Sequence, residues 1–137
     1  MQITPLIAFH ATAALLAVVT GPVALWARLG RVTRPGLHRT FGYAWVTFMV
    51  ATAASALFIR DFRVPNVSGF TPIHLLIGIT AFYLFAAFRA LARGDISTHR
   101  RCMQRLYLGA CIVAGLFTLL PQRALGQLLW GSWLGWL

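Results

Sequence analysis

The sequence predicts an all-α integral membrane protein, a four-helix transmembrane bundle with a short interfacial C-terminal segment. Three observations carry that expectation. The chain has 137 residues and is 59% apolar, against roughly 45–50% in soluble domains, and its mean hydropathy is +0.75. A single small domain has too little interior to hide that much apolar side chain from water. Next, the apolar residues gather into four runs near the ~20 residues needed to cross hydrocarbon, and none sustains a strand-type alternation. Finally, the charge is nearly all of one sign and sits between the runs. All twelve basic residues are Arg, and the only acids are Asp61 and Asp95. A net charge of +10 scattered over short connections is not the continuous basic face that nucleic acid requires. The bilayer is therefore the expected partner, and nucleic acid is not.

The first helix is expected over about 3–26, bent at Gly21-Pro22. It lacks the basic n-region of a signal peptide and is long for an h-region, so it reads as a mature span. The second covers about 41–59, the third 72–91 and the fourth 102–120. Pro72 suits a first helical turn, and Pro121 closes the last span. Residues 122–137 are too few for another crossing. With Trp130, Trp133 and Trp136 they suit an aromatic belt, lying in the interface or docking on another subunit of a membrane complex.

Charge sets the orientation. Arg28, Arg31, Arg34 and Arg39 flank the first connection, and Arg89, Arg93, Arg100, Arg101 and Arg105 flank the third. The middle connection has Arg60 and Arg63 beside Asp61, and the tail has Arg123. Nine arginines against three put the first and third connections in the cytoplasm. Both termini of this multi-pass protein are then expected outside the cytoplasm. The run from Arg28 to Arg39 reads as a topology signal with lipid contacts rather than a substrate site. Arg89 is expected to snorkel from the end of helix three.

Other chemistry is sparse. Cys102 and Cys111 lie ~13 Å apart along one helix, too far for a disulfide. Two acids cannot support paired-carboxylate catalysis, and no Ser–His–Asp set, phosphate-binding loop or Cys–His zinc spacing occurs. Tyr43, Trp45, Phe82, Tyr83, Phe85 and Tyr107 read as core or belt aromatics.

The four histidines are the remaining candidates. His10 and His74 fall early in helices one and three, toward the outer side. His38 and His99 fall just before helices two and four, at the inner side, each followed by Arg. The two levels are separated by about 28 Å of helix, which excludes one four-His centre and leaves two bis-His sites. Such a site holds a b-type haem when two imidazoles from different helices share a depth, with small residues beside them. Gly42 follows His38 by one turn, Gly78 follows His74 and Ala14 follows His10, while Met103 follows His99. Arg39, Arg100 and Arg101 adjoin the inner pair and can take propionates by charge-assisted hydrogen bonds. An outer haem would need Arg63, Arg123 or polar groups instead. Histidines and arginines also anchor helix ends to lipid phosphate, and Gly and Ala also mark helix packing, so a cofactor-free bundle stands beside this reading.

The run Arg34-Pro35-Gly36-Leu37-His38-Arg39-Thr40-Phe41-Gly42-Tyr43 resembles a bacterial family of small predicted membrane proteins of unknown function. The stretch His99-Arg100-Arg101-Cys102-Met103-Gln104-Arg105 resembles that family's second His-Arg motif, and the early His10 with Gly21-Pro22 and the late Leu119-Leu120-Pro121 also look like that family. More distantly, four helices with alternating histidines look like two-haem transmembrane b-type cytochromes. That resemblance implies His10 with His74 on one haem and His38 with His99 on the other. The expectation is thus a transmembrane electron-transfer protein with one or two bis-His b-type haems, all four histidines being iron ligands. A quinone or quinol and other membrane subunits are its candidate partners, and any enzymatic role is that of a redox subunit. The alternative is a cofactor-free accessory or assembly subunit of a larger membrane complex.

Overall fold

The computed structural model describes residues 4–29, 33–60, 62, 67–121, 123–133 and 135. Arg31, Asp61, Arg63, Gln122 and Trp136, named above, lie outside the described residues. Helix α1 spans Pro5–Trp26, with the Thr4 hydroxyl accepting from the Ile7 amide at 3.3 Å as its N-cap. Pro22 stays inside α1 without ending it. Helix α2 spans Pro35–Ala56. A 3₁₀ turn, Pro72–His74, leads into α3, Leu75–Ala92. Helix α4, Ile96–Leu106, runs on as a π-helical stretch, Tyr107–Val113, and then as α5, Ala114–Thr118. These three pieces make one fourth rod. Beyond it come α6, Ala124–Gln127, and a π-helical turn, Leu128–Trp133.

Two of the expected boundaries are corrected, and both matter for function. Helix α2 starts at Pro35 rather than near Phe41, because proline at the first helical position gives up an N–H that would be unpaired anyway. The fourth rod starts at Ile96 rather than Cys102, because the Asp95 carboxylate accepts from the Thr98 amide at 3.0 Å and nucleates the turn. His38 and His99 are therefore one turn inside their helices, not before them. His74 moves the other way: it ends the 3₁₀ turn and caps α3 instead of standing a turn within it.

The rods pack as two hairpins, α1 on α2 and α3 on α4, and α2 touches α3 while α1 touches the π-helical stretch. One core joins all four rods through Ala17, Trp45, Met49, Leu84, Leu106 and Cys111. The rest of the interior is small: Ala13, Ala24, Ala87 and Ala90 are buried, whereas Leu15, Val19, Phe82, Phe85 and Leu116 are more than half exposed. Large apolar groups outside and small ones inside are the arrangement that lipid allows, since water drives nothing inward there and close backbone contact supplies the packing. Helices α1 and α3 are each long and apolar enough to cross a membrane, at a mean hydropathy of 1.9. The fourth rod is polar through Arg105 and becomes apolar from Leu106 onward.

The tail folds back on the bundle. Trp130 donates its indole N–H to the Leu119 carbonyl at 2.8 Å. Gly126 packs against the Leu120 carbonyl so closely that a Cβ there has no room. Cys102 and Cys111 are both free thiols.

Candidate functional site

The connections α1–α2 and α3–α4 lie at the same end of the bundle and bring the two His-Arg motifs together. The early starts of α2 and α4 place His38 and Arg39 on one helix and His99 and Arg100 on another, each about a turn from the helix start. Asp95 itself faces its own helix, accepting from the Ser97 hydroxyl at 2.9 Å as well as from Thr98. The hydrogen bonds from Thr98 and Ser97 hold its carboxyl down at about 2, so it is ionised at neutral pH and already satisfied.

Between these helices is a cavity of about 760 Å³, within the range of small-molecule and cofactor sites. His38 and His99 both line it, with Arg28, Arg39 and Arg100. Gly21, Ala24 and Gly42 provide small walls, and Trp45, Phe88 and Tyr107 provide flat ones. Gly42 is half-buried, and a Cβ there would meet nothing within 4 Å. Met103, one turn beyond His99, also faces the space.

Both imidazoles are held the same way. His38 donates its Nδ1–H to the Ala24 carbonyl at 2.8 Å, and His99 donates its Nδ1–H to the Ala87 carbonyl at 3.0 Å. A carbonyl can only accept, so each ring carries a proton on Nδ1, and in the neutral imidazole the lone pair is then on Nε2. Neither Nε2 has a hydrogen-bond partner among the described residues. A backbone carbonyl on one ring nitrogen with the other left open is how metal-binding histidines are usually oriented.

The arginines divide. Arg28, Arg39 and Arg100 line the cavity, and Arg100 donates to the Arg28 carbonyl, joining the two hairpins. Arg101 points away, toward the hydroxyls of Ser97 and Thr98 at 3.5 and 3.3 Å. At the cavity wall, a Cβ on Gly21 would sit 2.5 Å from the Tyr107 ring and 2.9 Å from Trp45 Nε1. Tyr107 also donates its hydroxyl to the Val18 carbonyl at 3.1 Å. Trp45 Nε1 is buried and has no hydrogen-bond partner among the described residues.

The other two histidines sit near the opposite end of α2. His10 donates Nδ1–H to the Thr52 carbonyl at 3.1 Å, with the Ser55 hydroxyl at 3.0 Å. His74 uses both nitrogens on the backbone: Nε2–H donates to the Ile59 carbonyl at 3.0 Å, and Nδ1 accepts from the Thr71 amide at 3.1 Å. In that state it has no lone pair left for a metal. Gly78 is exposed on α3, and none of His10, His74 and Gly78 lines the cavity.

Arg28, Trp45 and Tyr107 are cavity residues that no sequence signal marks as such. Arg28 carried only a topology signal, and a Trp and a Tyr at these spacings look like ordinary core. The two His-Arg motifs were the signal that did locate the site.

Fold and site together define an all-α bundle with a lipid-type exterior and a basic cavity at one end. The chain belongs to the family described as "Predicted membrane protein (DUF2306)", whose model matches residues 7–127. No curated protein and no solved structure matches it.

Proposed function

We propose that this membrane protein transfers electrons by means of one b-type haem, held between His38 and His99 at the arginine-rich end of the bundle. One observation carries the reading: two imidazoles from different helices line a single cavity, each anchored through Nδ1 with Nε2 open. When bound, haem supplies a one-electron couple whose potential depends on its axial ligands and surroundings. The chain's own part is to fix the two rings. Ala24 and Ala87 accept the Nδ1 protons, which sets tautomer and orientation and raises the basicity of Nε2. Gly42 leaves open space for a flat group, while Gly21 lets the Tyr107 ring and Trp45 pack tightly against α1 as its wall. A second haem between His10 and His74 is not part of the proposal, because His74 spends both nitrogens on the backbone.

The proposed orientation has this end in the cytoplasm and four crossings of a bacterial inner membrane. It is supported by the charge count, nine arginines against three. A periplasmic reporter enzyme fused at either terminus should be active. Activity only when fused in the α1–α2 connection would reverse the orientation.

A cofactor-free bundle is the competing reading, and His10 favours it. That residue makes the same interhelical bond, to the Thr52 carbonyl, away from the cavity, so such bonds can serve packing alone. Visible spectra separate the two. Protein made with ample haem should show a Soret band and a sharp reduced α-band. His38→Ala and His99→Ala should each abolish the low-spin form, while His74→Ala retains it. A colourless preparation would sink the haem reading.

A further inference from the structure

Three guanidinium groups line the cavity, and no carboxylate lines it among the described residues. Arg28, Arg39 and Arg100 are all exposed, so they form its rim rather than its floor. Like charges gathered at one mouth attract an anion, and because they are exposed that attraction weakens with salt. Asp95, the carboxylate at the start of α4, is taken up by Thr98 and Ser97 on its own helix. The remaining walls are largely apolar, with Ala24, Val46, Phe88 and Leu91. A ligand matched to this space has an apolar, flat body and more than one negative charge at one edge.

We propose that Arg28, Arg39 and Arg100 form a clamp for the paired carboxylates of a porphyrin dicarboxylate, whose acidic edge lies at the mouth of the cavity. The clamp rests on reading this cavity as the haem site but not on the iron–histidine bonds within that reading. Arg28 and Arg39 approach from either side of the α1–α2 connection, and Arg100 approaches from α4. Arg100 is bonded to the Arg28 carbonyl, and the remaining N–H groups of its guanidinium can still face an acid. Each arginine can then contribute a charge-assisted, bidentate contact.

The test uses the full-length protein in a neutral detergent and an iron-free probe. Protoporphyrin IX carries both carboxylates but cannot bond to an imidazole through iron, and its dimethyl ester lacks the charges. Fluorescence titration should give about tenfold tighter binding of the diacid than of the ester. Arg28→Gln and Arg39→Gln should each weaken the diacid by about five- to tenfold and leave the ester unchanged, with helix content checked by circular dichroism. Equal affinity for both probes, or arginine variants that match the parent, would overturn the clamp. Displacement of the diacid by equimolar phosphatidylglycerol would also overturn it, in favour of a lipid phosphate. Haemin separates this inference from the one it rests on. Arginine-dependent binding of the diacid without a bis-imidazole haemin spectrum leaves the clamp standing and removes the axial ligands. A bis-imidazole spectrum with no preference for the diacid does the reverse.

Discussion

Replacing Gly21 by alanine tests how the cavity wall is built. A Cβ at this position would lie 2.5 and 2.6 Å from two Tyr107 ring carbons and 2.9 Å from Trp45 Nε1. Ordinary contact begins near 3.5 Å, so the ring must retreat by about 1 Å. Helix propensity works in the opposite direction, since alanine gains about 1 kcal/mol over glycine within a helix. Overpacking costs about 1–3 kcal/mol, and moving the ring strains the Tyr107 hydroxyl bond to Val18, worth about 1 kcal/mol. Trp45 is 4% exposed and has no free space to yield. The net loss is therefore about 1–3 kcal/mol. Thermal unfolding in detergent, followed by circular dichroism, should show Gly21→Ala melting several degrees below the parent. Tyr107→Ala should be destabilising alone, yet adding Gly21→Ala to it should cost less than in the parent, since only the 2.9 Å approach to Trp45 Nε1 then remains. An unchanged melting temperature for Gly21→Ala, or full additivity of the two substitutions, would refute this account of the wall.

Three other outcomes follow from the same coordinates. Gly42→Leu extends into open space, so it should leave melting unchanged while lowering porphyrin binding at least tenfold; a stable variant that binds normally would remove Gly42 from the site. The Asp95 carboxyl is held at about 2, below its usual 3.8, so its cap on α4 is complete above the usual value and is lost only as pH falls through about 2. Hydrogen exchange of the 96–99 amides should accordingly be no more protected at pH 7 than at pH 4.5 after correction for intrinsic rates, whereas Asp95→Ala should expose them at both. Trp130→Phe removes a hydrogen bond to Leu119, worth about 1 kcal/mol, and should make the segment after Pro121 more susceptible to limited proteolysis. Unaltered cleavage would mean that the indole N–H does not hold the tail.

Much of the fold was legible because lipid and backbone geometry impose it residue by residue. The apolar runs, the clustered arginines and the lack of strand alternation lead directly to a helical membrane bundle, with no knowledge of which residues touch. Helix starts were less legible. Pro35 and Asp95 are both recognised start signals, but the polar, arginine-rich residues after them look like loop when hydropathy is weighed alone. The structure extends α2 and α4 through those residues, since hydrogen bonding rather than apolarity decides where a helix begins. The amphipathic first turns remain at the arginine-rich end of the bundle.

The histidines divide along the same line. Their pairing by level followed from counting residues along each run. Which nitrogen remains open did not, because it depends on carbonyls brought near by packing: Ala24 for His38 and Ala87 for His99, twelve or more residues away in each case. The Ile59 carbonyl likewise reached His74 through the fold of the α2–α3 connection and occupied the nitrogen that its sequence position had left available. Arg28 became a cavity residue, and Arg101 did not, through small differences in helix phase and start. The sequence by itself determined the class of protein, the helical runs and the level of each histidine, since these follow from periodicity and solvent preference. Only the tertiary structure decided which side chains share the cavity and which lone pairs remain open. Both depend on a hydrogen bond being made or missed within a few tenths of an ångström across residues far apart in the chain.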